Sequence, residues 1–199
     1  EGNGQSELLE AIAGMRPVEH GKIFVHEQDV TGKTPGEIIL QASCKSALCY
    51  TQNPALTAER YHDGWFYTHD VGTWDAQHFI TVCGRRDDMI VCMGENIYPA
   101  QLEEILCRHP KVADCMVAGV PDASRGQSVA AYIIPADASL TAQELGAWCA
   151  RCDDLSAYKC PRYYRFVDTL PYNATGKKQH VLLQTQAEDD LQAGLLLRP

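Results

Sequence analysis

The apolar pattern of this chain changes character at residues 85 to 88. Before that point, short runs of β-branched and aromatic residues are separated by turn residues. Glu37-Ile38-Ile39-Leu40, following Gly36, reads as a strand. Trp65-Phe66-Tyr67-Thr68 reads as a second, after the turn Asp63-Gly64, and Phe79-Ile80-Thr81-Val82 as a third. Between the first two, Asn53-Pro54 followed by Ala55 to Arg60 predicts a short helix whose start is set by the proline. Arg85, Arg86, Asp87 and Asp88 are then four consecutive charges. A buried strand would not tolerate them unpaired, so they are the candidate hinge between domains.

Beyond the charges the elements alternate. The pattern predicts a strand over Met89 to Met93, a helix from Pro99 to about Arg108, and strands over Val112 to Val120 and Val129 to Pro135. A second helix runs from Thr141 to about Cys152, where Thr141 and Glu144 have capping-box spacing, and Pro99 suits a first helical turn. A short strand at Tyr164 to Val167, a loop at Pro171 to Gly176 and a C-terminal helix complete the series. This mixture predicts an α+β fold, a small domain of helices packed on a short sheet and preceded by a few strands. The apolar tail from Leu191 to Pro199 has no assigned role, and neither repeats nor low-complexity segments are visible.

Composition narrows the class. The 199 residues are 45% hydrophobic and 22% charged, close to globular averages, which excludes a disordered chain. With 26 acidic and 17 basic residues the net charge is -9, and no Lys or Arg run offers a footprint for a phosphate backbone, so nucleic acid is not an expected partner. The acidic residues are scattered, apart from Glu188-Asp189-Asp190, as on a solvated surface. No run approaches the ~18 to 20 apolar residues of a membrane span, and Glu1-Gly2-Asn3-Gly4 is unlike a targeting segment, so the expected location is cytoplasmic. Nine cysteines are too sparse for a disulfide scaffold. Cys149-Ala-Arg-Cys152 has redox spacing, but it lies in a helical pattern with no strand before it, and zinc would need two further ligands at motif spacing. Reduced thiols and no metal site are expected.

Four blocks in order give a more specific signal: DGWFYTHDVGTWD at 63 to 75, GRRDDMIVCMGENIYP at 84 to 99, HPKVADCMVAGVPD at 109 to 122, and YKCPRYYRFVDTLPYNATGK at 158 to 177. Through them the stretch from about Gly36 to about Gln184 resembles the C-terminal part of acyl- and aryl-CoA ligases of the adenylate-forming superfamily. The resemblance implies a division into residues 36 to 84, the β-rich end of the ligase N-terminal domain, and 85 to 199, a mobile C-terminal lid. It implies carboxylate adenylation followed by thioester formation with CoA, with a carboxylic acid, ATP and CoA as substrates and Mg2+ accompanying ATP.

The resemblance also assigns roles. Asp70 would accept hydrogen bonds from the ribose hydroxyls, as an ionised carboxylate can, and Arg85 would meet ribose or phosphate oxygens with its guanidinium fork. Asp87 would be the residue about which the lid turns. Lys177, on a glycine-containing loop, would bridge carboxylate and α-phosphate oxygens during adenylation. After a large rotation the turn Gly94-Glu95-Asn96 would line the pantetheine tunnel, with Lys159 and Arg162 near the CoA phosphates. Taken singly, each of these residues also fits a surface turn or a solvated loop.

The departures are specific. His69 stands where the family usually has glycine, Arg125 where many members have tryptophan, and Lys178-Gln179-His180 replaces the usual apolar and arginine positions. Residues 1 to 35 instead resemble the phosphate-loop region of ABC-transporter ATPases, with Gly2, Gly4, Gln5 and Ser6 on the loop and Gln5 in place of lysine. The phosphate loop and acyl pocket of a complete ligase do not fit in 199 residues, so the isolated chain is expected to be inactive. The second reading is a non-catalytic module with the lid fold that binds CoA or a partner ligase. Tyr- and Pro-containing local wording leans toward an aromatic acid substrate.

Overall fold

A computed structural model describes residues 32–41, 50–75 and 79–199. They fall into two compact units, one ending at Asp87 and the other running from Asp88 to Pro199.

In the first unit the strands are β1 (Gly32–Gln41), β2 (Tyr61–His62), β3 (Trp65–Trp74) and β4 (Ile80–Arg85), with helix α1 (Pro54–Arg60) before β2. β3 is central: β1 pairs antiparallel along one edge, while β2 and β4 follow one another along the other. Asp63 and Gly64 have φ of 55° and 82°, the left-handed pair that a two-residue hairpin needs, which sets His62 opposite Trp65. Asn53 caps α1, its side chain accepting from the Leu56 N–H at 3.0 Å, with Pro54 in the first turn. β3 continues six residues past Thr68, because the polar residues after it pair with β4 rather than leaving the sheet. Phe79 lies just outside β4 and is exposed.

The second unit contains β5 (Ile90–Cys92), β6 (Glu95–Ile97), α2 (Pro99–Cys107), β7 (Val112–Asp122), β8 (Gly126–Pro135), α3 (Ala142–Ala150), β9 (Tyr163–Phe166) and α4 (His180–Gln192). β8 pairs antiparallel with β7 on one side; on the other it meets β5 at Gly126 and β9, in parallel, from Ala130 to Ile133. The central stretches of β7 and β8, Cys115 to Val120 and Val129 to Ile133, are buried residue after residue because both faces are covered. Cys115, Val117, Val129, Ala131 and Ile133 face Leu102, Leu106 and Leu145 of α2 and α3. Their neighbours Met116, Ala118, Val120, Ala130 and Tyr132 face Leu183 and Ala187 of α4. The sheet is thus the middle of three layers, and burying each such Leu contributes about 1.5–3 kcal/mol.

Two local readings need correction. Glu95 and Asn96 belong to a strand, β6, and the turn before it is Met93-Gly94; three-residue strands carry too little pattern to be read from sequence. The apolar tail does have a place: the Leu197 N–H donates to the Tyr164 carbonyl and the Tyr164 N–H to the Leu197 carbonyl, both at 2.8 Å, extending the sheet beyond β9. Thr141 caps α3, accepting from the Glu144 N–H at 3.2 Å, but the helix ends at Ala150.

Candidate functional site

In the first unit, the register that sets Asp70 opposite Arg85 brings three of the expected residues together. Arg85 Nη1 lies 3.2 Å from Asp70 Oδ1 and its Nη2 lies 3.3 Å from Asp87 Oδ2, so one guanidinium bridges both carboxylates. Asp70 and Arg85 side chains each keep about a third of their surface exposed. Thr68 orients the aspartate's backbone, its hydroxyl accepting from the Asp70 N–H at 3.0 Å and donating to the Ile38 carbonyl at 2.7 Å.

His69 explains its own departure from the family pattern. Its φ of 61° is the left-handed conformation that glycine adopts most cheaply. A side-chain and a backbone bond hold the residue there: Nδ1 lies 2.8 Å from Asp87 Oδ1, and the His69 carbonyl accepts from the Arg86 N–H at 2.7 Å. Burial alone would push the Asp87 carboxyl up, but the hydrogen bond and charge of His69, with Arg85 and Arg60, hold it below its ordinary value. The four charges at 85 to 88 are therefore partnered. Arg86, for one, pairs with Glu37 at 2.8 Å.

In the second unit Lys177 sits on an exposed loop closed by Asn173. The Asn173 side-chain oxygen accepts from the N–H groups of Thr175 and Lys177 at 3.0 and 2.8 Å, and the Asn173 N–H donates to the Lys177 carbonyl at 2.9 Å. Gly176 at φ 78° makes the tight return possible. Lys178 and His180, the other departures, anchor the loop's far end. Lys178 Nζ lies 2.9 Å from Asp114 Oδ1 and 3.4 Å from Glu103 Oε2, and His180 Nε2 lies 2.8 Å from Glu103 Oε1. Tyr172 donates to Asp114, fixing the other side.

Glu103 is 7% exposed, and it also accepts from the Val117 N–H at 3.0 Å. Burial would lower the pKa values of Lys178 and His180, but the carboxylates of Glu103 and Asp114, and of Glu103 and Asp88, raise them on balance. Sequence reasoning missed Glu103 and Asp114. An acidic residue within an amphipathic helix carries no sign that the fold will bury it.

Gly94, Glu95, Asn96 and Arg162 lie at another end of the same unit. Met93 and Gly94, with φ of 54° and 81°, form the hairpin between β5 and β6, and no atom approaches the place a Gly94 Cβ would take. Glycine is there for the turn's backbone and not for a close approach. The Met93 N–H donates to the Arg125 carbonyl at 2.9 Å, and Glu95 and Asn96 are exposed on β6. Arg162 Nη1 lies 3.4 Å from Asp122 Oδ2. Ser128 and Ser124 hydroxyls and the Ser124 N–H, with Arg162, hold the Asp122 carboxyl well below the usual range. Lys159 is half-buried, its Nζ 6.0 Å from the Tyr158 ring centre.

Asp114, which holds the Lys177 loop, and Asp122, beside the Gly94 hairpin, both belong to β7. They stand eight residues apart, roughly 26 Å at about 3.3 Å per residue, so the two groups of residues occupy opposite ends of one strand. Among the described residues no group of His, Cys, Asp or Glu is arranged to hold a metal ion, and no helix is long and apolar enough to cross a membrane. Gly2, Gly4, Gln5 and Ser6 lie outside the described residues.

Comparison with known proteins matches residues 101–177 to the AMP-binding enzyme C-terminal domain. The chain is 38% identical over 162 residues to a 2-succinylbenzoate–CoA ligase of Bacillus licheniformis, an alignment covering 81% of this chain and 30% of that enzyme. It is 36% identical to the human mitochondrial medium-chain acyl-CoA ligase over 92% of this chain, a span that takes in part of residues 1–35, and 30% of that enzyme. Among solved structures, the Bacillus subtilis o-succinylbenzoate CoA synthetase bound to its acyl-adenylate superposes with a TM-score of 0.72 at 33% identity, covering 82% of this chain and 33% of that one. An anthranilate CoA ligase bound to anthranoyl-AMP gives 0.75 at 31%, covering 90% and 35%. The chain thus spans about a third of the length of these ligases, and its residues 101–177 match the AMP-binding enzyme C-terminal domain.

Proposed function

We propose that this chain is the C-terminal portion of an ATP-dependent acyl- or aryl-CoA ligase, and that it works as the part that turns between two half-reactions. The observation that supports the reading is that two sets of candidate residues stand at opposite ends of β7. A rigid unit with Lys177 at one end and the Gly94 hairpin at the other cannot present both to a single site at once, so it must rotate between them.

In the first half-reaction Lys177 supplies its ammonium to carboxylate and α-phosphate oxygens, where negative charge builds as pyrophosphate departs. Asp70 receives the ribose hydroxyls, and Arg85, already a bridge between Asp70 and Asp87, lies beside the nucleotide. Asp87 is the pivot. In the second half-reaction Gly94, Glu95 and Asn96 border the pantetheine, with Lys159 and Arg162 near the CoA phosphates. ATP with Mg2+, CoA and a carboxylic acid are the substrates, and the cytoplasm is the expected setting. Taken alone, the chain does not activate a carboxylate.

A chimera tests this. Residues 36–199 replace the corresponding part of the Bacillus subtilis o-succinylbenzoate CoA synthetase, and acid-dependent pyrophosphate release is followed. Lys177→Ala should slow release by about 10²–10³-fold, the usual effect of removing one preorganised charge-stabilising group. A folded chimera that releases pyrophosphate equally well with and without Lys177 would overturn the assignment.

A further inference from the structure

Cys107, the last residue of α2, is exposed, whereas Cys115 on β7 is fully buried, yet their sulfur atoms lie 3.5 Å apart. The Cys115 thiol also reaches the Glu103 carbonyl at 3.4 Å, and the Cys107 thiol reaches Asp114 Oδ1 at 3.9 Å. A disulfide has its sulfurs about 2.05 Å apart, so this pair has about 1.5 Å to close. Cys107 sits where a helix ends, and rotation of its side chain can supply that movement.

We infer that Cys107 and Cys115 are a redox-active dithiol, a site for thiol–disulfide exchange with a low-molecular-weight disulfide such as glutathione disulfide. The inference does not depend on the ligase reading. Cys107, as its thiolate, attacks one sulfur of glutathione disulfide; the S–S bond breaks, one glutathione leaves, and a mixed disulfide forms on Cys107. The Cys115 sulfur then attacks the Cys107 sulfur, giving up its proton as the second glutathione departs as thiol. The balance is two protein thiols oxidised to one disulfide and one glutathione disulfide reduced to two thiols.

Burial raises the Cys115 thiol pKa, with the neighbouring Cys107 and Glu103 adding to the effect, which makes Cys115 the resolving thiol and leaves the first attack to the accessible one. Contact between the two sulfurs makes closure intramolecular, so it outcompetes a persistent glutathione adduct. The bond would form against the Lys178 anchor, since Lys178 Nζ pairs with Asp114, the residue before Cys115.

The test exposes the full chain to glutathione disulfide under native conditions. Remaining thiols are then alkylated in denaturant, and the tryptic peptides are read by mass spectrometry. Trypsin cuts after Arg108 and Lys111, so the two cysteines fall on different peptides. The expected result is a Cys107–Cys115 linked pair at least about tenfold more abundant than glutathionylated Cys107, in keeping with intramolecular closure. Cys107→Ser should abolish the link, and Cys115→Ala should leave glutathione on Cys107. If glutathione stays on Cys107 in the unaltered chain while Cys115 remains alkylatable, or if the link forms only in denaturant, the inference is wrong.

Discussion

Glu103→Ala should loosen the second unit more than any single change at its surface, because one buried carboxylate serves three donors. The Val117 N–H, on a residue with no exposed surface, donates to it at 3.0 Å and would be left unsatisfied, which costs about 1–3 kcal/mol. The bond from His180 at 2.8 Å is charge-assisted and contributes about 1.5–3 kcal/mol. Lys178 loses less, because it retains Asp114 at 2.9 Å. Together these give about 2.5–6 kcal/mol, a range that contains the cost of breaking a buried pair from one side. At about 1.4 kcal/mol per tenfold, amide exchange of peptides spanning residues 112–122 should quicken by about 10²–10⁴-fold. Glu103→Gln keeps an oxygen for Val117 and should cost about half as much. Acceleration by less than about tenfold in Glu103→Ala would refute the claim that this carboxylate holds α2, β7 and the start of α4 together.

His180 has a pKa above its ordinary 6.5 in the folded chain: burial lowers it, but the hydrogen bond and charge of Glu103, with Asp88, raise it by more. Its protonation therefore stabilises the fold fully below about pH 6.5, and that stability is lost as pH rises through the raised value. In urea titrations followed by circular dichroism, the gap between the unaltered chain and His180→Gln should narrow over that window. A Cβ at Gly72 would lie 2.9 Å from the Thr81 carbonyl and 3.2 Å from Ile38 Cδ1 and Ile80 Cγ2, so Gly72→Ala should cost about 1–3 kcal/mol and lower the thermal midpoint of the first unit. An unchanged midpoint would mean that β3 and β4 separate easily there.

What the sequence by itself determined follows from local physics. The apolar patterns at Val112–Val120 and Val129–Pro135 predicted strands, Pro54 and Pro99 marked helix starts, Thr141 marked a cap, and Asp63-Gly64 marked a turn. The ordered blocks led to the ligase family, because several short motifs in sequence are far more specific than any one. Only the tertiary structure decided which charges belong together. Asp70 and Arg85 are fifteen residues apart in sequence, and strand register joins them. Glu103 and His180 are seventy-seven apart, and only the packing of α2 and α4 about β7 brings them within 2.8 Å. The same is true of His69, a departure that reads as a defect until its left-handed backbone and its bond to Asp87 are seen. Backbone periodicity is a property of neighbours along the chain, whereas ion pairs and opposite ends of a strand are properties of closure in space.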